Sequence, residues 1–193
     1  LKHFVDAKIK GNNVIERLFA TCLPAPFLSI LIDDCTRSGK DYNDGGARYN
    51  TTYIMGVAIG TLTDSLAAIK YNIFDEKRLT MEQLLLSLRD DFQGQERIRQ
   101  MLWNKTPKYG NDDEYVDSLL RATSAAFRRT VSGRMNTKGG LYAVNYLSTT
   151  CHIYFGSVLG ATPDGRRAQE PVSEGVSPCL LYTSPSPRDR QKS

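Results

Sequence analysis

Leu141-Tyr142-Ala143-Val144-Asn145-Tyr146-Leu147, then Ser148-Thr149-Thr150-Cys151, then His152-Ile153-Tyr154-Phe155-Gly156-Ser157-Val158-Leu159: here the 193-residue chain changes character. Both apolar runs are rich in β-branched and aromatic residues, so 141–147 and 152–159 read as two strands divided by a polar break. A turn-rich stretch, 136–140, precedes them, and a Gly/Pro/Arg loop over 161–178 follows Gly160. The comparable stretch upstream is 47–60, rich in Thr, Tyr, Ile and Val, which reads as a strand running into a turn. Gly56 and Gly60 within it mark a bend or a close backbone approach. Strand, several helices, then strands again is the order of an α/β architecture.

The helices lie between and before these runs. Thr63-Asp64 looks like a helix start, leading into a short helix with Leu66, Ala67, Ile69 and Lys70. Thr80-Met81-Glu82-Gln83 has the spacing of a capping box. The helix it opens carries Leu84, Leu85, Leu88 and Phe92, and Gly94 closes it. A further helix turns Ile98, Met101 and Leu102 inward and ends near Trp103. Tyr115, Val116, Leu119, Leu120, Thr123, Ala126 and Phe127 make the longest amphipathic helix. Near the N-terminus Val14, Ile15, Leu18, Phe19 and Cys22 share one helical face. Pro24 and Pro26 break that helix, and Pro26 suits the first turn of another, which carries Phe27, Leu28, Leu31, Ile32 and Cys35. The polar stretch 37–46 is a loop in which Gly45-Gly46 can take backbone angles closed to other residues.

Composition narrows the function classes. Hydrophobic residues at 40% and charged residues at 24% exclude wholesale disorder. No apolar run approaches the roughly 20 residues of a bilayer span, and the N-terminus shows neither a secretory apolar core nor a starting Met, so the chain is expected to begin inside something longer. The four cysteines, at 22, 35, 151 and 179, lack the close pairing of a zinc site or a disulfide framework. Of the formal net charge of +4, the last fifteen residues supply +2 (Arg188, Arg190 and Lys192 against Asp189), so no basic stripe remains to suit nucleic acid. GxGxxG and P-loop patterns are absent from the sequence. The tail 179–193 fits none of the periodicities, and 179–189 resembles the in-frame translation of a transposase-type sequencing adapter. It is set apart from 1–178.

Four segments are specific: Gly45-Gly46-Ala47-Arg48-Tyr49-Asn50, then 63–70 (Thr63-Asp64-Ser65-Leu66-Ala67-Ala68-Ile69-Lys70), then 104–113 (Asn104-Lys105-Thr106-Pro107-Lys108-Tyr109-Gly110-Asn111-Asp112-Asp113), and last Thr149-Thr150-Cys151-His152 followed by 160–167 (Gly160-Ala161-Thr162-Pro163-Asp164-Gly165-Arg166-Arg167). In this order and spacing they resemble the glycyl radical enzymes of the pyruvate formate-lyase superfamily, over nearly all of 15–178. Stretches 49–72 and 136–160 look most like the hydroxyproline dehydratases within it. The resemblance implies that 1–178 is part of a ten-stranded α/β barrel surrounded by helices. It also implies a radical lyase chemistry: hydrogen-atom abstraction beside a hydroxyl-bearing carbon, then loss of water assisted by a carboxylate. No bound cofactor is implied beyond a protein-derived glycyl radical. The implied setting is the cytoplasm of an anaerobe, with a radical-SAM activating enzyme as partner, a homodimeric assembly and a small-molecule substrate.

Two family motifs are missing. No Gly-Cys-x-Glu, the source of the thiyl cysteine and the acid/base glutamate, occurs in the sequence. The radical glycine has one lookalike, Val131-Ser132-Gly133, which precedes the strand segments instead of following them and falls at a helix end, where a glycine cap is the ordinary explanation. The 193-residue polypeptide is therefore expected to be inactive by itself, with no catalytic, cofactor or metal residue of its own.

Thr149, His152 and Tyr109 are the substrate-binding candidates. Thr149 stands at a strand mouth, and the resemblance places its family counterpart at the substrate pocket; a β-branched residue suited to a strand is the other reading. A buried His or Tyr with a satisfied hydrogen bond is the other reading of the remaining two. Cys22 and Cys35 fall on apolar helical faces, where small buried thiols are inert. Cys151 neighbours His152, but on a strand the two point to opposite faces, so core packing is expected. Asp112-Asp113-Glu114 fits a helix N-terminus better than a metal. Asp164-Gly165-Arg166-Arg167 reads as a turn. The alternatives are a glycerol or diol dehydratase, a formate acetyltransferase-like enzyme, and a non-catalytic interaction fragment.

Overall fold

A computed structural model describes residues 1–147 and 149–175. The tail 179–193, with Cys179, lies outside the described residues. The described residues pack as two units: 1–55 with 125–145, and 56–124 with the described residues from 146 onward. Each is built from two stretches of sequence, and each has its own apolar core.

In the first unit, α1 (Lys2–Cys22) leads through α2 (Pro26–Ser29) and α3 (Asp33–Ser38) to a single 3₁₀ turn (Tyr42–Asp44) and strand β1 (Thr52–Met55). Pro26 occupies the first turn of α2, as its fixed φ favours. Asp41 holds this corner: its carboxylate accepts from the Ala25 N–H (2.9 Å), the Ser29 hydroxyl (2.7 Å) and the Asn43 N–H (2.8 Å). Gly46 is required there, since a Cβ would stand 2.1 Å from the Lys40 carbonyl oxygen. Strand β2 (Tyr142–Asn145) pairs with β1 in parallel, Thr52 opposite Tyr142 through Met55 opposite Asn145. Val5, Ile9, Ile54, Val131 and Tyr142 form the core, with Phe127 and Val144 against it. Glu16 of α1 accepts from the Thr52 hydroxyl and from both the N–H (3.1 Å) and hydroxyl (2.6 Å) of Thr137, tying the helix to the strand and to the 136–140 turn.

In the second unit α4 (Ile59–Ile69) continues into one π-helical turn (Lys70–Asp75), followed by α5 (Met81–Arg89) and α6 (Glu96–Asn104). Both arms of the Thr80–Gln83 capping box are present. Ala68, Leu79, Leu84, Phe92 and Leu102 form the core, flanked by Ile98 and Met101. Helix α7 (Glu114–Val131) starts in this unit and ends in the other. The last described helix is α8 (Cys151–Val158).

Several sequence expectations are corrected. The segment 152–159 is helix, not strand: an eight-residue apolar run carries no periodicity that separates the two, and Gly156 lets its backbone lie against Glu170 and Pro171. The strand expected over 47–60 is only Thr52–Met55, because α4 begins at Ile59, with Thr63 and Asp64 inside it. The first helix starts at Lys2, not near 14, and its 21 residues exceed the 18 of α7. Gly11, Asn12 and Asn13 interrupt the apolar pattern without interrupting the helix. Val5 and Ile9 form its buried face, whereas Val14, Ile15, Leu18 and Phe19 are exposed. Cys22 and Cys151 are exposed thiols. Cys35 is buried, and desolvation together with the Asp41 and Asp34 carboxylates pushes its thiol up from the ordinary range. The reading of Gly133 as a helix cap holds: it follows the end of α7 with φ +83°.

Candidate functional site

The three sequence candidates lie in the second unit. Thr149 and His152 share one turn at the start of α8. The Thr149 hydroxyl accepts from the Cys151 N–H at 3.3 Å, the local side-chain bond by which threonine organises a helix entry. The Thr149 carbonyl lies 2.7 Å from His152 Nδ1. A carbonyl only accepts, so the Nδ1–H donates, and in the neutral ring the lone pair sits on Nε2. His152 is buried and its own carbonyl accepts from the Val172 N–H at 3.3 Å. With both residues in the helix entry, the opposite-face argument made for Cys151 and His152 on a strand does not apply.

Tyr109 belongs to a different cluster, centred on Asp64. Its N–H donates to Asp64 Oδ1 at 2.7 Å. Burial, with Asp117 adding to it, pushes the Tyr109 phenol up. Asp64 sits on the core-facing side of α4 with no exposed surface, and its second oxygen, Oδ2, has no hydrogen-bond partner among the described residues. Desolvation raises its carboxyl to about 6 against the opposing pull of Lys108. Next to Tyr109, the buried Lys108 ammonium donates to the Asp164 carbonyl at 3.0 Å. The Asp164 carboxyl, also fully buried, is likewise raised by desolvation and accepts from the Thr162 hydroxyl at 2.5 Å and the Arg166 N–H at 3.3 Å.

Arg166 is the largest fully buried side chain here. Its guanidinium spans the loop, donating to the Thr162 hydroxyl (3.1 Å), the Glu170 carbonyl (2.6 Å) and the Gly160 carbonyl. With Nε and both terminal nitrogens each bonded to a neighbouring hydroxyl or carbonyl, the guanidinium makes 160–170 a rigid knot, and the turn expected at Asp164-Gly165 is present with a buried polar core beneath it. Two more links fasten this loop. Thr61 and Ser173 exchange N–H to hydroxyl bonds, both 2.8 Å. Arg167 reaches Glu96 at 2.8 Å, and Arg99, Gln100 and Arg167 hold the Glu96 carboxyl down to about 2.

The structure therefore brings Thr149 and His152 together directly, and joins them to the Tyr109 cluster through loop 160–175, which Lys108 grips at Asp164 and His152 at Val172. Sequence reasoning read Asp64 as a helix start and Arg166 as part of a turn, and gave Lys108 no role of its own. The available signal was chemical: one carboxylate inside the apolar helical run 59–69, and a lysine between Pro107 and Tyr109. A cavity of about 700 Å³ between α5 and α6, lined by Arg78, Arg97, Ile98, Met101 and Lys105, contains none of the three candidates. Asp113 accepts from the Tyr115 N–H at 2.9 Å at the start of α7. Among the described residues no group of three His, Cys, Asp or Glu is placed to hold a metal ion. No helix among them is long and apolar enough to cross a membrane.

Comparison with known proteins places this geometry. The chain is 53% identical over 178 residues to trans-4-hydroxy-L-proline dehydratase of Clostridioides difficile, covering 92% of this chain and 23% of that protein. A crystal structure of hydroxyproline dehydratase from Clostridioides difficile with trans-4-hydroxy-L-proline bound superposes with a TM-score of 0.90 at 52% identity, over 94% of this chain and 23% of that one. A glycerol-bound, B12-independent glycerol dehydratase from Clostridium butyricum superposes with a TM-score of 0.86 at 39% identity, over 92% and 22%. The chain thus spans about a quarter of the length of these relatives and carries the mixed helix-and-strand fold of that part of them. The family profile described as pyruvate formate lyase-like matches residues 1–156, and the chain is a member of the pyruvate formate lyase-like family.

Proposed function

We propose that residues 1–178 are one part of the barrel domain of a glycyl radical dehydratase whose substrate is a hydroxylated proline, with trans-4-hydroxy-L-proline as the reference molecule. The observation that carries this reading is the graded similarity: among superposed structures, identity falls from 52% with the hydroxyproline enzyme to 39% with the glycerol enzyme, over 94% and 92% of this chain. The radical, borne by protein residues that this sequence does not contain, supplies removal of a hydrogen atom from the carbon beside the hydroxyl. The present residues bind and orient. Thr149, Tyr109 and His152 offer two hydroxyls and an imidazole, groups that suit a substrate carrying a hydroxyl, a carboxylate and a ring nitrogen. The proposed setting is a cytoplasmic homodimer in an anaerobe, activated by a radical-SAM enzyme.

The test begins with the parent reading frame, sequenced through both ends of this segment. The full-length product, activated under anaerobic conditions, is expected to dehydrate trans-4-hydroxy-L-proline. Thr149→Val is expected to lower kcat/KM by about tenfold, the loss of one hydrogen bond to substrate. Turnover of glycerol or propanediol in place of hydroxyproline would reassign the enzyme to the diol dehydratases. A frame with its own start and stop around this segment, and no Gly-Cys-x-Glu, would make it a non-catalytic protein.

A further inference from the structure

We infer that Asp64 is a positioning residue for the substrate site, acting through the Tyr109 backbone and the 104–113 loop; the inference rests on the reading of Tyr109 as a substrate-binding residue. Three of the sequence segments singled out above, 63–70, 104–113 and 160–167, meet in one buried cluster: Asp64 from the first, Lys108 and Tyr109 from the second, Asp164 and Arg166 from the third. The fourth, 149–152, is fastened to the same loop through the His152 carbonyl and the Val172 N–H.

The 104–113 loop is held through side chains and single backbone bonds, not by a helix or strand of its own. Residues 105–113 contain no regular helix or strand, and Gly110 and Asp112 adopt positive φ. Its inward anchors are Thr106, which accepts from Asn72 Nδ2 at 2.8 Å; Lys108, on the Asp164 carbonyl; and Tyr109, on Asp64. The partners of Thr106 and Tyr109 both project from the continuous helix 59–75 at positions 72 and 64, about two turns apart. Two fixed points two turns apart on one rigid rod set both the height and the direction of the loop. Asp64 is the one that holds the Tyr109 backbone itself, so it decides where the Tyr109 side chain starts. A carboxylate with no exposed surface gains nothing from solvent, and a helix needs no aspartate there for its own backbone. Holding Tyr109 is the role its geometry gives it.

The experiment uses the full-length parent without activation, so that substrate binding is read apart from turnover. Calorimetric titration with trans-4-hydroxy-L-proline compares wild type, Asp64→Ala, Asp64→Asn, Tyr109→Phe and the Asp64→Ala/Tyr109→Phe double variant. Amide hydrogen exchange of the 105–111 segment is measured on the same samples. Asp64→Ala is expected to raise Kd by about tenfold and to speed exchange in that segment. Asp64→Asn, whose amide oxygen still accepts from the Tyr109 N–H, is expected to restore both. On the Tyr109→Phe background Asp64→Ala is expected to add little, because the two act in series. Unchanged Kd or unchanged exchange in Asp64→Ala overturns the inference, and so does full additivity. An Asp64→Ala protein that cannot be recovered folded assigns Asp64 to folding alone and overturns it too. An affinity untouched by Tyr109→Phe counts against the reading of the site itself, a different failure.

Discussion

Asp64 also has a consequence for pH. Its carboxyl in the folded protein titrates at about 6, above the 3.8 of an exposed aspartate. Between those values the folded state keeps a proton that the unfolded chain has released. Its stabilising contribution is therefore complete below about pH 4 and is lost as pH rises through about 6. Two units correspond to on the order of 3 kcal/mol at most. Asp164 runs the same way, while Glu96, held down to about 2, runs opposite and loses its contribution only as pH falls from 4.5 toward 2. Asparagine mimics the protonated carboxyl, so in the full-length parent the thermal midpoint of Asp64→Asn relative to wild type is expected to rise between pH 4 and pH 7. A difference that stays constant across that range would contradict the raised carboxyl. At this scale the sequence was informative about residue type and silent about depth. Thr149, His152 and Tyr109 stood out as residues of the segments that carry the family resemblance. Asp64 looked like a helix cap because Thr-Asp before Leu and Ala is what a cap looks like, and only the four residues of helix upstream, 59–62, turn it into a buried group.

At the scale of elements, α8 is the instructive case. Its segment carries aromatic and β-branched residues that favour strands, yet it is helical, because contact with 170–172 outweighs a weak local preference. Gly156 makes that contact: a Cβ there would lie 2.3 Å from the Glu170 carbonyl oxygen and 2.6 Å from Pro171 Cα, both backbone atoms that cannot yield cheaply. Gly156→Ala is expected to push α8 off this segment and to destabilise the protein by about 1–3 kcal/mol. Faster hydrogen exchange at Val172, whose N–H bonds the His152 carbonyl, is the expected signature; an unchanged thermal midpoint would show that the helix can shift without cost. Elements bounded by strong local chemistry were legible. The Thr80–Gln83 capping box, the proline at the start of α2 and the glycine after α7 behave as their side chains dictate. The extent of β1 was not, since it depends on pairing with residues ninety positions away, and neither was the start of α4, whose first turn bonds Ser173, 112 positions on from Thr61.

At the scale of the molecule, much apolar surface is left uncovered. Leu18, Phe27, Leu31, Tyr154 and Val158 are all at least 54% exposed, and Phe27 and Leu31 reach 80% or more. Large apolar side chains left exposed in this number, the first three in one unit and the last two in the other, are suited to interfaces, and a chain spanning 23% of its relatives has most of their polypeptide available to cover them. Residues 1–178 produced alone are expected to aggregate or to bind hydrophobic dyes while lacking a cooperative transition. A monodisperse sample with one sharp melting transition would count against this. The fold class could be read from the alternation of apolar runs, and the family from the four motifs. The exposed face could not: a helical stripe such as Val14, Ile15, Leu18 and Phe19 announces that it is to be buried, but not by what.

The parallel pairing of β1 with β2 has a consequence in time. Thr52 and Tyr142 are 90 residues apart, and the bonds between Thr61 and Ser173 close a still longer span of 112. On a ribosome adding about 5–20 residues per second, the first strand waits roughly 5–20 seconds for its neighbour. Neither unit can finish from contiguous sequence, since each needs residues made after part of the other. The nascent polypeptide thus carries an unpaired edge and an open core for much of its synthesis, an interval in which a chaperone has the strongest reason to hold it.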